Sequence, residues 1–396
     1  MRSPAVLPYA IGALCASLLA ACASTPAVSP GTPCETADFI VDDAFDGARR
    51  GACTRLSGHR VRLEIRPEDP SVSNPSPWYA FRIAPRRPGT AEIVLDYGTW
   101  KHRYPPKLSG DGETWRSLEP EQIQVTADRT RAVIDVPLAD RPVWVSAQEL
   151  ITTGDILDWT RRMSARAGVQ RLVLGRSIAG ADIEALRSGA ENADLLLLVG
   201  RQHPPEVSGS VAMAGFVETL LADTALARAF RRRIGIVAIP LLNPDGVDRG
   251  HWRHNLGDRD PNRDWGPFAE PETALIRDLL DGLDAEGRRI RLFIDFHSTD
   301  RNLFYTQPET DRTEPEGFTQ RWFARVRPRL AGYEFSDEPR PQSDTPNSKN
   351  FVYRRYGVPA ITYEVGDETD RDSVRRASGI FAEELMKLML ETIPVR

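Results

Sequence analysis

The sequence predicts an α/β protein, a mixed and mostly parallel sheet with helices on both faces, preceded by a small antiparallel β-sandwich. Three observations carry this. From residue 146 onward, short apolar runs alternate with stretches of helical periodicity, the pattern of a sheet whose crossovers are helices. Leu195-Leu196-Leu197-Leu198-Val199 is apolar without interruption, as a strand covered on both faces should be. Between 34 and 145, short alternating runs are separated by turn-rich segments, the mark of a sandwich. At roughly 150 residues per domain, the 396 residues leave room for two or three domains. Charged residues at 27% and hydrophobic ones at 41% exclude a disordered or fibrous chain. A net charge of -5, from 51 basic and 56 acidic residues, gives no support to a nucleic-acid partner.

Residues 1–21 carry one charge, Arg2, and an apolar run from Ala10 to Ala21. That run is short for a bilayer span but suits the core of a signal peptide. It ends Leu19-Ala20-Ala21-Cys22, which resembles a bacterial lipobox. The resemblance implies a signal peptide over 1–21 and a lipidated Cys22. Residues 22–33, rich in Ser, Thr, Pro, Gly and Ala, then form a tether. An ordinary signal peptide cut at a nearby A-x-A site is the alternative. Ala23 stands where an inner-membrane retention Asp would be, so the expectation is an exported lipoprotein at the outer membrane, facing the periplasm and held by several acyl chains. Cys34 and Cys53 read as a disulfide in an exported chain, against the alternative of two free thiols.

The sandwich is placed at 34–145, with strands over 61–65, 78–83, 91–97, 123–125, 132–136 and 143–145. The α/β domain is placed at 146–396. Its first helix covers 156–167. Strands over 172–174, 183–188, 195–199, 234–240, 292–297 and 360–365 alternate with helices near 207–230, 271–286, 316–331 and 372–391.

The chain has six histidines. His203-Pro204-Pro205-Glu206 follows the apolar strand 195–199, where ligand sites of α/β sheets form, and His297 ends another apolar strand. Either piece alone is a weak signal. Together, His, Glu and His with an open fourth position make a catalytic zinc set. Asp295, two before His297, is expected on the other sheet face and is not taken as a ligand.

Around these stand Asn243-Pro244-Asp245-Gly246, Arg253, Asn262-Arg263 and the strand-end Glu364. In this order the chain resembles the zinc carboxypeptidases of the carboxypeptidase A type, over about 146–396. The upstream motifs Trp78-Tyr79-Ala80-Phe81, Tyr104-Pro105-Pro106-Lys107 and Gly112-Glu113-Thr114-Trp115 are similar to the β domain of the cytosolic-carboxypeptidase-like branch. The resemblance implies one Zn2+ per chain on His203, Glu206 and His297, with Glu364 as general base. It implies that Asn262 and Arg263 hold the terminal carboxylate of a peptide, and that Arg253 polarises the scissile carbonyl. Surface ion pairs for the two arginines and a turn or cap role for Asn262 are the bland alternatives. The loop 344–351 carries Lys349, 15 positions before Glu364, which would favour an acidic end group if it reached the pocket, and is otherwise a solvated loop lysine. Neither Tyr353 nor Tyr356 matches the family's substrate-covering tyrosine. The implied activity is removal of a C-terminal residue from peptides or peptidoglycan-derived peptides. The alternatives are an amidohydrolase acting on acyl-amino acids or stem peptides, and an inactive binding lipoprotein.

Overall fold

The computed structural model describes residues 31–69, 77–189 and 191–394, so the expected leader and Cys22 lie outside it. Two sheets stack at the N-terminal side. One runs Cys34–Glu35, Phe39–Asp42, Ala80–Pro85, Val143–Ser146, Lys107–Ser109, Trp115–Ser117. The other runs Cys53–Arg55, Arg60–Glu64, Gly89–Asp96, Arg131–Leu138, Ile123–Val125. Alternate residues turn inward: Phe81 and Ile83 from one sheet meet Val61, Leu63, Ile93, Leu95 and Ile134 from the other, all fully buried. The sandwich is not wholly antiparallel, because Arg60–Glu64 pairs parallel with Gly89–Asp96. The disulfide Cys34–Cys53 joins the edge strands of the two sheets.

The α/β part is built on a sheet of eight described strands in the order Val169–Arg176, Asp182–Ser188, Ile234–Ile239, Asp194–Gly200, Arg289–Thr299, Ala360–Gly366, Leu303–Thr306, Ser336–Pro339. The central four are parallel. Burial on both faces follows the period of two. Leu196 and Leu198 pack with the helices Val207–Leu220, Phe318–Val326 and Arg371–Thr392, while Leu195, Leu197 and Val199 pack with Pro271–Ala285 on the other face. Full burial of each such side chain is worth about 1.5–3 kcal/mol.

Three expectations need correction. The helix over 207–230 is two, Val207–Leu220 and Ala225–Arg231, because Thr224 accepts from Ala227 N–H and starts a new helix. Lys349 is not on a loop: it lies in the first turn of the helix Ser348–Tyr356, which Asn347 caps by accepting from Asn350 N–H, and it is buried. Asp295 shares a face with His297, since residues two apart on a strand point the same way.

The sandwich docks firmly. Trp252, from the α/β part, is buried in the sandwich core. Arg103 pairs with Asp367, Lys107 with Glu368, and Arg371 with Glu149. Among the described residues no single helix is long and apolar enough to cross a membrane.

Candidate metal centre

The strand Asp194–Gly200 delivers the chain into the turn that carries His203 and Glu206. Arg201 adopts a left-handed φ of 51°, sparsely populated for a side chain of this size. Its buried guanidinium holds the turn by donating to Pro204 O at 2.7 Å, Ser210 Oγ at 3.0 Å and Ile151 O at 3.2 Å. Glu206 occupies the N-cap position of Val207–Leu220 yet makes no cap bond with its side chain. Its two oxygens face imidazoles instead, His203 Nδ1 at 2.8 Å and His297 Nδ1 at 2.7 Å.

His297 reaches the same point from the neighbouring parallel strand, where it stands in register with Glu364. Gly209 permits this: a Cβ there would fall 2.6 Å from His297 O, so only glycine lets the helix backbone lie against that strand. The far nitrogens of both rings face carboxylates. His203 Nε2 lies 2.9 Å from Asp260 Oδ1, and His297 Nε2 lies 2.8 Å from Asp295 Oδ2. Asp295 also accepts from Gln202 and Ser348.

Burial opposes ionisation of Glu206, but the two imidazoles outweigh it and hold the carboxyl well below the usual range. Glu364 is pushed the other way, chiefly because burial disfavours its charged form. A cavity of about 320 Å³ opens over these groups and is also lined by Arg253, Asn262, Arg263 and Lys349. Arg253 Nε donates to Asp260 Oδ2 at 2.7 Å. Arg263 is exposed to the cavity, while Asn262 is buried, with Oδ1 accepting Ser348 N–H at 2.9 Å.

The sequence model of the zinc carboxypeptidase peptidases matches residues 156–384, more than half of the chain. The chain belongs to the zinc carboxypeptidase family. A protein of unassigned activity from Zymomonas mobilis is 24% identical, covering 82% of this chain and 87% of its own. Cytosolic carboxypeptidase 2 of Danio rerio is 35% identical, but over 33% of this chain and 20% of that protein, so the chain spans about a fifth of that relative. The fold is shared with a metallo-carboxypeptidase from Burkholderia cenocepacia (TM-score 0.73, 17% identity, 91% of this chain and 99% of that one). It is shared also with a metallo-carboxypeptidase from Pseudomonas aeruginosa (TM-score 0.71, 21% identity, 89% and 100%).

Zinc is the family's metal, and the residues fit it. The ligand atoms of His203, Glu206 and His297 lie within 4.8 Å of one another. Two Nδ1 atoms and a carboxylate are a zinc donor set, and each Nε2–H facing a carboxylate is the arrangement that fixes the tautomer of a metal-binding imidazole.

All the α/β-domain site residues expected from sequence meet at one cavity. Tyr353 and Tyr356 do not: their hydroxyls donate to Arg312 O and to Asp284. Tyr305 and Tyr104 line the cavity instead. Sequence reasoning missed Asp260, Arg340 and the sandwich's Arg103 as well. The signal for Asp260 was its place two before Asn262, as the cap that accepts Asn262 N–H at 2.8 Å.

Proposed function

We propose that the protein is a zinc-dependent metallocarboxypeptidase, with the metal on His203, Glu206 and His297. The observation that carries this is the convergence of those three ligands with Glu364 and Arg263 on one cavity. Bound zinc supplies a Lewis acid that activates water and polarises a carbonyl. Glu364 takes the proton of the attacking water and returns it to the leaving amine nitrogen. Its burial, which raises the carboxyl towards neutrality, suits both transfers. Arg263 grips the terminal carboxylate through its planar fork, with Asn262 forming the adjoining wall. Arg253 stabilises negative charge on the carbonyl oxygen.

The side-chain subsite is cationic. Lys349 and Arg340 line the cavity together, and Lys349 is buried with Nζ donating to Arg340 O at 3.3 Å. An acidic terminal residue, from a peptide or a peptidoglycan-derived peptide, is the reading this favours, because an apolar end would leave a buried ammonium unpaired. Mass-spectrometric mapping of products from a peptide library tests the activity. Loss of single C-terminal residues is expected from wild type, while Glu364→Gln should keep zinc and lose ~10²–10⁴-fold in turnover. Internal cleavage, or a fully active Glu364→Gln protein, would refute the assignment.

We propose separately that the protein lies in the cell envelope, as a lipoprotein anchored through Cys22. The Leu19-Ala20-Ala21-Cys22 sequence supports this, and the Cys34–Cys53 disulfide suits an oxidising compartment. Incorporation of a fatty-acid analogue in wild type, abolished by Cys22→Ser, is the expected result.

A further inference from the structure

The β-sandwich reaches the reaction centre through one carboxylate. Glu68 lies just beyond the sandwich strand Arg60–Glu64, and it accepts three successive backbone N–H groups of the α/β part: Trp252 at 2.6 Å, Arg253 at 2.8 Å and His254 at 2.6 Å. Three aligned N–H groups form an anion-binding concavity. Here it is filled by a side chain from a segment 184 to 186 residues away. Burial works to raise the Glu68 carboxyl, but the His254 N–H, the His251 charge and the Trp252 N–H outweigh it, so Glu68 stays anionic.

The segment is gripped on both sides of Arg253. Trp252 packs in the sandwich core, and the preceding Gly250, at φ +59°, lies against the sandwich so closely that a Cβ would fall 2.8 Å from Gly47 O. From the gripped backbone, the Arg253 side chain runs to Asp260 Oδ2, and Asp260 Oδ1 meets His203 Nε2. A continuous chain of hydrogen bonds thus links the sandwich to a metal ligand.

We infer that Glu68 is a positioning residue for catalysis: the sandwich domain holds Arg253 at the cavity through the three N–H groups that Glu68 accepts. This rests on the charge-stabilising role proposed for Arg253. Replacing the carboxylate takes an acceptor oxygen and its charge away from these three part-buried donors. The segment would then relax away from the cavity, and Arg253 with it. The consequence is that the sandwich is part of the catalytic apparatus and not only a neighbour.

A double-mutant cycle on the zinc-loaded full chain tests this. Glu68→Gln is expected to lower kcat roughly tenfold or more, with KM and zinc content near wild type, since loss of a single such donor costs ~10²–10³-fold. In an Arg253→Ala background the same change should alter kcat less than about twofold, because residues acting as a unit are not additive. If Glu68→Gln does not fold, Glu68→Asp, which keeps the charge but withdraws it by one methylene, enters the same cycle. Equal fold-losses in both backgrounds, or a wild-type kcat for the Glu68 variant, overturn the positioning role. A fully active Arg253→Ala protein overturns it too, and locates the failure in the assignment of Arg253.

Discussion

His203 and Arg253 share one carboxylate: Asp260 Oδ1 lies 2.9 Å from His203 Nε2, and its Oδ2 accepts from Arg253 Nε at 2.7 Å. One buried side chain therefore orients both an imidazole of the His-Glu-His group and the arginine proposed to stabilise charge. Burial disfavours the Asp260 anion, yet His203 and Arg253 hold its carboxyl far below the ordinary range. Asp260→Asn would turn an amide N–H₂ towards one of two donors. Zinc affinity should fall ~10–100-fold, as on loss of other outer partners of metal-bound histidine. Chelator competition measures this, and unchanged affinity together with unchanged kcat would remove Asp260 from the site.

Gly209→Ala should disturb His297 without replacing any ligand side chain. The new Cβ would meet His297 O at 2.6 Å, and neither helix nor strand backbone can yield without shifting the imidazole. Overpacking of this kind costs about 1–3 kcal/mol. The expected variant melts lower and carries less zinc. Full zinc content at wild-type Tm would show that the helix has slack there.

Lys349 gives a pH test of end-group preference. Burial, with Arg340 adding to it and Asp311 opposing, pulls its ammonium down to about 8. Below that pH the charge is present and acidic ends are favoured, and above it the charge and the preference are lost. The Glu-over-Leu ratio of kcat/KM should therefore decline through pH 8 in wild type. It should be flat, and lower by roughly tenfold, in Lys349→Met. A ratio that ignores both pH and substitution would take Lys349 out of the subsite.

His102 should make the sandwich sensitive to acid. It is buried, with Nδ1 2.9 Å from the Tyr97 hydroxyl, and burial aided by Arg129 lowers it to about 4. Its folded pKa lies below the unfolded value of about 6.5. The unfolded chain therefore binds more protons between the two, and stability falls as pH drops through that window. The whole shift is worth about 3 kcal/mol. His102→Gln, compared with wild type in urea melts at pH 7 and 4.5, should show a smaller loss. An equal loss would place the acid sensitivity elsewhere.

Much of this protein could be read from residue order alone. The uninterrupted Leu195–Val199 run determined a doubly covered strand, since no half-exposed strand tolerates apolar side chains on both faces. H-x-x-E at one strand end and His297 at another gave the candidate ligand types, because the local turn and the parallel pairing of Asp194–Gly200 with Arg289–Thr299 bring them together. Two- and three-residue strands such as Cys34–Glu35 and Trp115–Ser117 were illegible, being too short to show a period. The helix Ser348–Tyr356 was missed because Lys349, Asn350, Arg354 and Arg355 leave it no clear apolar face. Tertiary structure alone decided what surrounds the ligands. Asp260 faces His203 across 57 residues, and Glu68 meets Arg253 across 185. Such pairs depend on how packing, within the α/β domain for the first and between the two domains for the second, brings remote loops within 3 Å, and hydrogen bonds of that reach leave no periodic trace in the sequence.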